Sequence, residues 1–322
     1  MKRGRILSID DQNTIVLDLT YLCNSTCRYC RWGNPGTEGR MDLALDSLII
    51  PKSTLDTLNT ERLVLSGGEP RLYPHISEVL FYYRKYVENI VLITNGYGIT
   101  RSEIESLVDK GINGFTFSID SMIPEEEYAS RGTPLKMFRK IIATLREISD
   151  PNRAFEMGIN TVVTHANAKW ESINRLLDFS EELELDFIKF NPIFDDGYAG
   201  KNAPYLMLTE KDADKLRIIG EKIADSGFKK TNNPQFWFDI SEMVLGRKPQ
   251  GIRCGLGPHK ANSINGSFTM CYWVRDATYG PTNSKMSHEL AESVQRQLEI
   301  SKKKCSVDFH CFCNQKMSHA WW

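Results

Sequence analysis

The sequence has little that would place the protein in a membrane, outside the cell or on a nucleic acid. Its 322 residues contain no apolar run close to the roughly 18 residues that a membrane-spanning helix needs. The basic N-terminal segment lacks the apolar stretch and small-residue cleavage site of a secretory signal. Positive charge is not in excess, since 40 lysine and arginine residues accompany 41 acidic ones. We therefore expect a cytoplasmic protein with no membrane and no nucleic-acid partner.

Eight cysteines stand out in this composition. A reducing compartment disfavours disulfides, so we expect the thiols to be metal ligands or reactive groups. Three of them, Cys23, Cys27 and Cys30, form a C-x3-C-x2-C segment directly after an apolar run. Thiolates at this spacing can converge on one iron–sulfur cube and leave its fourth iron open to another ligand. A zinc knuckle or buried free thiols are the alternatives, although structural zinc sites usually have four ligands in paired C-x2-C units.

This segment resembles the cluster-binding loop of radical S-adenosylmethionine (SAM) enzymes, in which C-x3-C-x-aromatic-C follows the first barrel strand. Cys23, Cys27, Tyr29 and Cys30 match every position of that motif. The resemblance implies a [4Fe–4S] cluster whose open iron chelates SAM and whose electron cleaves SAM to a 5′-deoxyadenosyl radical. It also implies that Tyr29 flanks the adenine, although ordinary packing would explain an aromatic residue there as well.

Apolar segments typical of strands alternate with helical periods over residues 14–190. The strand segments are residues 14–19, 62–66, 90–94, 114–119, 157–163 and 187–190. Between them, Thr100 and Glu103 form a helical capping box, and apolar stripes begin at Leu135 and Trp170. Strands that alternate with helices predict a parallel sheet covered on both faces. We therefore expect an α/β fold, a partial (β/α)6 TIM-like barrel, with its chemistry at the C-terminal ends of the strands.

Short motifs follow several of these strand ends. The resemblance implies that a Gly-Gly-Glu-Pro segment holds the amino group of SAM and that an arginine pairs with its carboxylate. It assigns SAM-binding roles to Gly67, Gly68, Glu69, Pro70, Asn95, Ser118, Asp120 and Arg131. Asn160 and Asn167 are further candidates on and beyond the fifth strand. Tight turns between strands and helices, and a solvated surface arginine, would explain the same residues without a ligand.

The remaining five cysteines lie in the C-terminal region and are Cys254, Cys271, Cys305, Cys311 and Cys313. The opening of SPASM and twitch auxiliary-cluster domains resembles the segment from Cys254 to Cys271, in which Gly266 is followed by four residues and then by the second cysteine. The count implies one auxiliary [4Fe–4S] cluster. The chain departs from the family pattern at Cys311-Phe-Cys313, where C-x2-C is usual, so one of these two cysteines is left over. A zinc site is the alternative for this region.

Three regions are expected from this pattern. They are a radical SAM partial barrel at 14–208, a helical bridge at 209–231 and a cysteine-rich, twitch/SPASM-like auxiliary-cluster domain at 232–322. Beyond the sixth strand, Asp195, Asp196, Tyr198 and Tyr205 are candidates for binding a polar substrate, and a solvated loop is the alternative. Lys302, Lys303 and Lys304 are candidates for docking an electron donor of the flavodoxin or ferredoxin type.

The resemblance implies an enzyme that abstracts a hydrogen atom from an unactivated C–H bond. The expected substrate is a peptide or a small polar molecule such as a sugar or aminoglycoside, and the expected outcome is oxidation or cross-linking. One alternative is an epimerase in which Cys311 or Cys313 donates a hydrogen atom. Another is a non-catalytic iron–sulfur or zinc-binding protein. The SAM pocket implied by Gly67, Gly68, Glu69 and Tyr29 speaks against it, because an electron carrier does not need such a pocket.

Overall fold

The computed structural model describes most of the barrel region and part of the C-terminal region. The described residues are 13–34, 41–132, 135–148, 155–193, 195, 198–247, 260–264, 266–269 and 278–281, with isolated positions between 283 and 296. The predicted sites at Asp196, Cys254, Cys271, Lys302, Lys303, Lys304, Cys305, Cys311 and Cys313 lie outside these residues.

Six parallel strands confirm the predicted strand segments and the parallel α/β architecture. They are β1 (Thr14–Thr20), β2 (Arg62–Gly67), β3 (Asn89–Thr94), β4 (Gly114–Ser118), β5 (Glu156–Val163) and β6 (Phe187–Pro192). They lie side by side in chain order, from β1 to β6. Every residue of β1 is buried, because helices cover one face of the sheet and the barrel interior covers the other.

Helices connect the strands and continue beyond them. They are α1 (Lys52–Thr57), α2 (Ile76–Tyr83), α3 (Arg101–Asp109), α4 (Pro124–Ser130), α5 (Lys136–Ile148), α6 (Trp170–Glu182), α7 (Ala199–Asn202), α8 (Ala213–Ser226) and α9 (Gln235–Val244). At the predicted start of α3, the hydroxyl of Thr100 accepts a hydrogen bond from the backbone N–H of Glu103. None of the helices in the described ranges is both long and apolar enough to cross a membrane.

Alternate residues of each strand face two different surroundings. Ile15 and Leu17 of β1 belong to the large apolar core beneath the helices. Val16 instead packs with Val64 and Val91 in a separate cluster on the opposite face of the sheet. Because side chains of a strand alternate between its faces, this second face forms the bore of the barrel.

Three further strands extend the sheet past β1. They are β7 (Lys260–Ile264), β8 (Ser267–Thr269) and β9 (Thr278–Pro281). β7 is parallel to β1, whereas β8 pairs antiparallel with β7, and β9 with β8. Gly266 has a positive φ of 70° in the turn between β7 and β8, which suits a tight hairpin. The predicted bounds of the three regions stay a prediction.

Candidate active site

The segment after β1 gathers two of its cysteines around Ser25. The backbone N–H of Ser25 points to Sγ of Cys23 at 3.4 Å, and its hydroxyl lies 3.3 Å from Sγ of Cys27. Cys27 is 7% exposed, and Cys30 is close enough to interact electrostatically with both other thiols. Burial raises the pKa of the Cys27 thiol to about 12. A bound metal would be needed to hold this thiol as a thiolate near neutral pH.

The donor set consists of three thiols, the number that a [4Fe–4S] cube with one open iron requires. All three cysteines are free of disulfides. Among the described residues, no three His, Cys, Asp or Glu side chains are gathered around a point that one metal ion could occupy. In a cube each thiolate binds a different iron, so the ligands stand farther apart than those of one tetrahedral ion. Cys23, Cys27 and Cys30 are therefore the residues that would hold the cluster.

The glycines after β2 bring this strand end against the cysteine segment. The N–H of Gly68 donates to the carbonyl of Thr20 at 2.6 Å, and the N–H of Glu69 donates to the carbonyl of Leu22 at 2.8 Å. A Cβ atom on Gly68 would lie 2.1 Å from the Leu22 oxygen, and one on Gly67 would lie 2.3 Å from the Thr20 oxygen. Gly67 also has a positive φ of 115°. Only glycine permits this approach of two backbones.

Glu69 ties the ends of β2 and β3 together. Its carboxylate accepts hydrogen bonds from the Thr94 hydroxyl at 2.6 Å and from the Asn95 N–H at 2.8 Å. Nε of Arg71 lies 3.4 Å from it. Glu69 is fully buried, and this burial raises the pKa of its carboxyl. Pro70, also buried, is the first residue of a short 3-10 helix, Pro70–Leu72.

Asn95 connects the end of β3 to the cysteine segment. Its amide nitrogen donates to the side-chain oxygen of Asn24 at 2.9 Å and lies 3.5 Å from Sγ of Cys23. Its oxygen accepts the N–H of Tyr97 at 2.8 Å. The side chain therefore fixes the segment around Cys23 against the sheet.

Asp120 lies at the centre of a buried network that joins three predicted residues. Its Oδ2 accepts a hydrogen bond from the Tyr29 hydroxyl at 2.7 Å, and its Oδ1 lies 2.9 Å from Nε of Arg131. The guanidinium of Arg131 lies 5.8 Å from the centre of the Tyr29 ring, and Nη1 lies 3.8 Å from Sγ of Cys27. The cysteine segment, the end of β4 and the end of α4 thus meet at one place. Arg131 is buried, so the alternative of a solvated surface arginine is wrong.

Glu127 belongs to the same network, and the sequence analysis missed it. Its Oε2 accepts the backbone N–H groups of Asp120 and Ser121 at 2.9 and 3.0 Å. Burial and the nearby Asp120 raise the pKa of the Glu127 carboxyl to about 8. In sequence it lies in a run of three glutamates that looks solvent-exposed, although Pro124 marks the run as the first turn of a helix.

Three further predicted residues lie on β4, β5 and the segment after β5. Asn167 donates to the carbonyls of Asp120 at 2.7 Å and of Val162 at 2.9 Å, so it positions backbone around the network. Asn160 pairs with Ser118 in the sheet register and accepts a hydrogen bond from Asn191. Ser118 is 9% exposed.

Two of the candidates beyond β6 are exposed, Asp195 in a loop and Tyr205 in the 3-10 helix Pro204–Leu206. Asp195 accepts a hydrogen bond from the N–H of Gly200 at 3.0 Å, and Tyr205 is 56% exposed. A substrate-binding role for Asp195, Tyr198 and Tyr205 stays a prediction.

Comparison of the sequence with known proteins gives one family match. A sequence profile of the Radical SAM superfamily matches residues 17–179, about half of the chain. The AdoMet-dependent heme synthase of Methanosarcina barkeri (strain Fusaro / DSM 804) is 28% identical over 169 residues, which are 52% of this chain and 47% of that protein. The chain spans about half the length of the curated relatives that it matches.

Solved structures that share the fold include the following two. Native anSMEcpe with bound AdoMet gives a TM-score of 0.61 at 20% identity and covers 94% of this chain and 89% of its own. Streptococcus suis SuiB bound to S-adenosylmethionine gives a TM-score of 0.62 at 17% identity and covers 88% of this chain and 68% of its own. At these identities the likeness shows the fold alone.

Proposed function

The chain belongs to the radical SAM superfamily, and from that premise we propose that it cleaves SAM reductively and abstracts a hydrogen atom from a peptide. Cys23, Cys27 and Cys30 would hold the [4Fe–4S] cluster. The cluster and SAM, when bound, supply a 5′-deoxyadenosyl radical, which no protein side chain can replace.

The observation that carries this proposal is the meeting of Cys27, Tyr29, Asp120 and Arg131. Each comes from a motif that the family resemblance assigns to the cluster or to SAM, and the distances given above bring them into one buried network. Such burial excludes water from the place where a radical would form. The network also fixes the Tyr29 ring, because its hydroxyl and its face both have a partner.

A peptide is the substrate we favour over a small sugar-like molecule. Solved structures that share the fold include native anSMEcpe with bound Cp18Cys peptide and SuiB bound to the precursor peptide SuiA. Those ligands belong to those proteins, and the shared fold is what supports a peptide here.

The proposed outcome is oxidation or cross-linking. Loss of a hydrogen atom leaves a carbon radical, and a second bond forms only when the substrate also loses a proton and one electron. A second [4Fe–4S] cluster held by the C-terminal cysteines would accept that electron, and a flavodoxin- or ferredoxin-type donor would supply the one that cleaves SAM. These cysteines lie outside the described residues.

The direct test is anaerobic reconstitution with iron and sulfide, followed by incubation with SAM and dithionite. We expect 5′-deoxyadenosine to form in the reduced sample and not in a matched sample without dithionite. A reconstituted, reduced protein that leaves SAM intact would contradict the proposal.

A further inference from the structure

The cysteine segment exposes every second side chain to solvent. The exposed side chains are those of Leu22, Asn24, Thr26 and Arg28. Between them, Cys23 is half-buried, and Ser25 and Cys27 are buried. The segment therefore has an inner side, which carries the thiols of Cys23 and Cys27, and an outer side, which we call the outer face and which consists of the four exposed side chains. A single layer of chain separates these two thiols from solvent.

Two other parts of the chain border the outer face. The side-chain amide of Asn24 donates to the carbonyl of Tyr97 at 2.9 Å, and the N–H of Arg28 donates to the carbonyl of Ser130 at 2.8 Å. The Tyr97 side chain is 46% exposed and that of Leu22 is 38% exposed. The outer face thus extends from the turn after β3 to the end of α4, and it presents apolar surface at Leu22 and Tyr97.

The charge on the outer face is positive. From Thr20 to Asn34 the sequence has two arginines and no acidic residue. Arg28 is exposed, and the ion pairs among the described residues do not include it. Arg71, which donates to the carbonyl of Tyr97, also forms an ion pair with Glu103 at 2.9 Å and so neutralises that carboxylate. A negatively charged partner would therefore be attracted to the outer face.

The proposed function needs a partner that brings one electron for each SAM that is cleaved. On the inner side of Cys27 its Sγ lies 3.8 Å from Nη1 of the buried Arg131, so a protein can approach this thiol only from the outer face. Transient electron-transfer complexes bury less than about 1,200 Å² in total, so a small surface is sufficient. The exposed edge of a flavin ring is apolar, and Leu22 and Tyr97 offer it apolar contacts.

We propose that the outer face of the cysteine segment, together with Tyr97, is the docking surface for an acidic flavodoxin. The proposal rests on the proposed function and deepens it, because it assigns the partner of the same site. One electron passes from the reduced flavin to the oxidised cluster. The flavin is thereby oxidised by one electron, the cluster is reduced by one, and no bond forms or breaks.

The first test measures binding and needs no turnover. Fluorescein-labelled flavodoxin is titrated with the reconstituted, unreduced protein at low and at high salt, and fluorescence anisotropy gives the Kd. Arg28→Glu should raise the Kd at least about tenfold at low salt, because repulsion replaces attraction, and this difference should shrink at high salt. Arg28→Lys should keep most of the affinity. Tyr97→Ala should weaken binding at both salt concentrations, because salt does not screen an apolar contact.

Lys229→Glu is the matched control, because it changes the charge of another exposed cation by the same amount. Lys229 precedes Lys230, whose carbonyl accepts the N–H of Ile188 near the start of β6. It therefore lies at the opposite end of the barrel from the cysteine segment, which follows the end of β1. Lys229→Glu should leave the Kd for flavodoxin unchanged.

The second test compares two reductants in the formation of 5′-deoxyadenosine. With reduced flavodoxin below its Kd, Arg28→Glu should lower the rate about tenfold or more, in parallel with the loss of binding. With dithionite the rate should be unchanged, because a small reductant needs no docking surface. Circular dichroism and iron content check that each variant is folded and loaded, and Arg28→Lys keeps the test decisive if Arg28→Glu is not.

Undiminished binding of flavodoxin by Arg28→Glu, or an equal loss of the rates with both reductants, would overturn the proposal. Reduction by a ferredoxin and not by flavodoxin would also overturn it. So would binding that is lost only when Lys302, Lys303 and Lys304 are together replaced by Gln. Formation of 5′-deoxyadenosine with dithionite in any of these cases would leave the proposed function standing. SAM left intact by the unmutated protein with dithionite would instead contradict the proposed function, while the titration still decides the docking surface.

Discussion

Arg131 and Asp120 form a buried ion pair in which Nε lies 2.9 Å from Oδ1 and the two side chains are 9% and 1% exposed. The N–H of that nitrogen does not point at the oxygen, so the contact is electrostatic and not a hydrogen bond. Removing one member would leave a charge in a site with little water. We expect Asp120→Asn and Arg131→Met each to lower the free energy of unfolding by about 3–5 kcal/mol.

Urea unfolding measures this first prediction. The variant that combines Asp120→Asn with Arg131→Met should lose less free energy of unfolding than the two single variants lose together. The exposed pair of Arg139 and Glu182 is the matched control. Glu182→Gln should lower the free energy of unfolding far less than either buried substitution, because water screens that pair. If substitutions at the two ion pairs lowered the free energy of unfolding equally, burial would not be the reason for the stabilisation by Asp120 and Arg131.

The second prediction concerns Cys27. Cys27→Ala should abolish formation of 5′-deoxyadenosine, because two thiolates cannot hold a cluster that three share, while circular dichroism shows the fold retained. Thr26→Ala, an exposed position in the same segment, should keep both cluster and activity. Product at the unmutated rate from the Cys27→Ala protein would show that the segment does not hold the reactive cluster.

The third prediction concerns Gly68, whose substitution by alanine would place Cβ 2.1 Å from a backbone oxygen. Backbone atoms cannot rotate away as a side chain would, so we expect a loss of at least about 3 kcal/mol and a lower iron content. Gly227→Ala is the control, because Gly227 has a φ of 67° and no atom within 4 Å of the added Cβ. Gly227→Ala should lower the free energy of unfolding by about 1–2 kcal/mol, the cost of an alanine in the left-handed backbone conformation, and should not reduce the iron content. Iron content and urea unfolding separate the two effects.

The fourth prediction is a dependence of stability on pH. Burial raises the pKa of the Asp18 carboxyl from 3.8 to about 7. Between these values the folded state binds a proton that the unfolded chain has released, so the free energy of unfolding falls as the pH rises through this range. Each pKa unit corresponds to about 1.4 kcal/mol, so the free energy of unfolding should fall by roughly 4 kcal/mol at most across this range.

Asp18→Asn keeps the shape of the side chain and removes its titration. We expect a flatter stability profile between pH 4 and 7 and a more stable protein above that range. Because Glu127 titrates in the same direction, the difference between the two proteins, and not either profile alone, reports on Asp18. Parallel profiles would show that Asp18 is ionised in the folded state.

The fifth prediction is that the reconstituted protein holds about two [4Fe–4S] clusters, since the cysteine count allows three plus four thiolate ligands. Iron and sulfide assays should find about eight of each per chain. Alanine replacement of Cys311 and of Cys313 should remove about four irons in one case and none in the other. About four irons in the unmutated protein would exclude the auxiliary cluster, and stoichiometric zinc would replace it with a zinc site.

The same variants separate oxidation from epimerisation. In an oxidation the product lacks two hydrogens and carries no solvent deuterium on carbon. Solvent deuterium that enters the product with the unmutated enzyme, and not with the variant that keeps its iron, would mark that cysteine as a hydrogen-atom donor and the enzyme as an epimerase.

Local patterns in the sequence were sufficient to predict the strands and the cap at Thr100. A buried parallel strand is a continuous apolar run, and a helix cap depends on residues three positions apart. Both can therefore be predicted from short segments of the sequence. The motif residues Cys27 and Tyr29 were likewise predicted as members of one segment. Their contacts with Asp120 and Arg131 join parts of the chain that only folding brings together.

Two features could not be predicted from the sequence for this physical reason. Glu127 looked like part of a solvated charge run, because its burial depends on where α4 lies against β4. The pairing of β7 with β1 joins residues from opposite ends of the chain. Contacts of this kind depend on tertiary packing and leave no local pattern.

The position of β1 inside the sheet determines how readily this strand opens locally compared with β6. β1 has hydrogen-bonded neighbours on both sides, β2 and β7, whereas β6 has a neighbour on one side only among the described strands. Edge strands open more cheaply than central ones, so amide hydrogens should exchange with solvent early in β6 and late in β1. β6 can thus open locally while β1, which leads directly into the segment of Cys23, Cys27 and Cys30, keeps its hydrogen bonds on both sides.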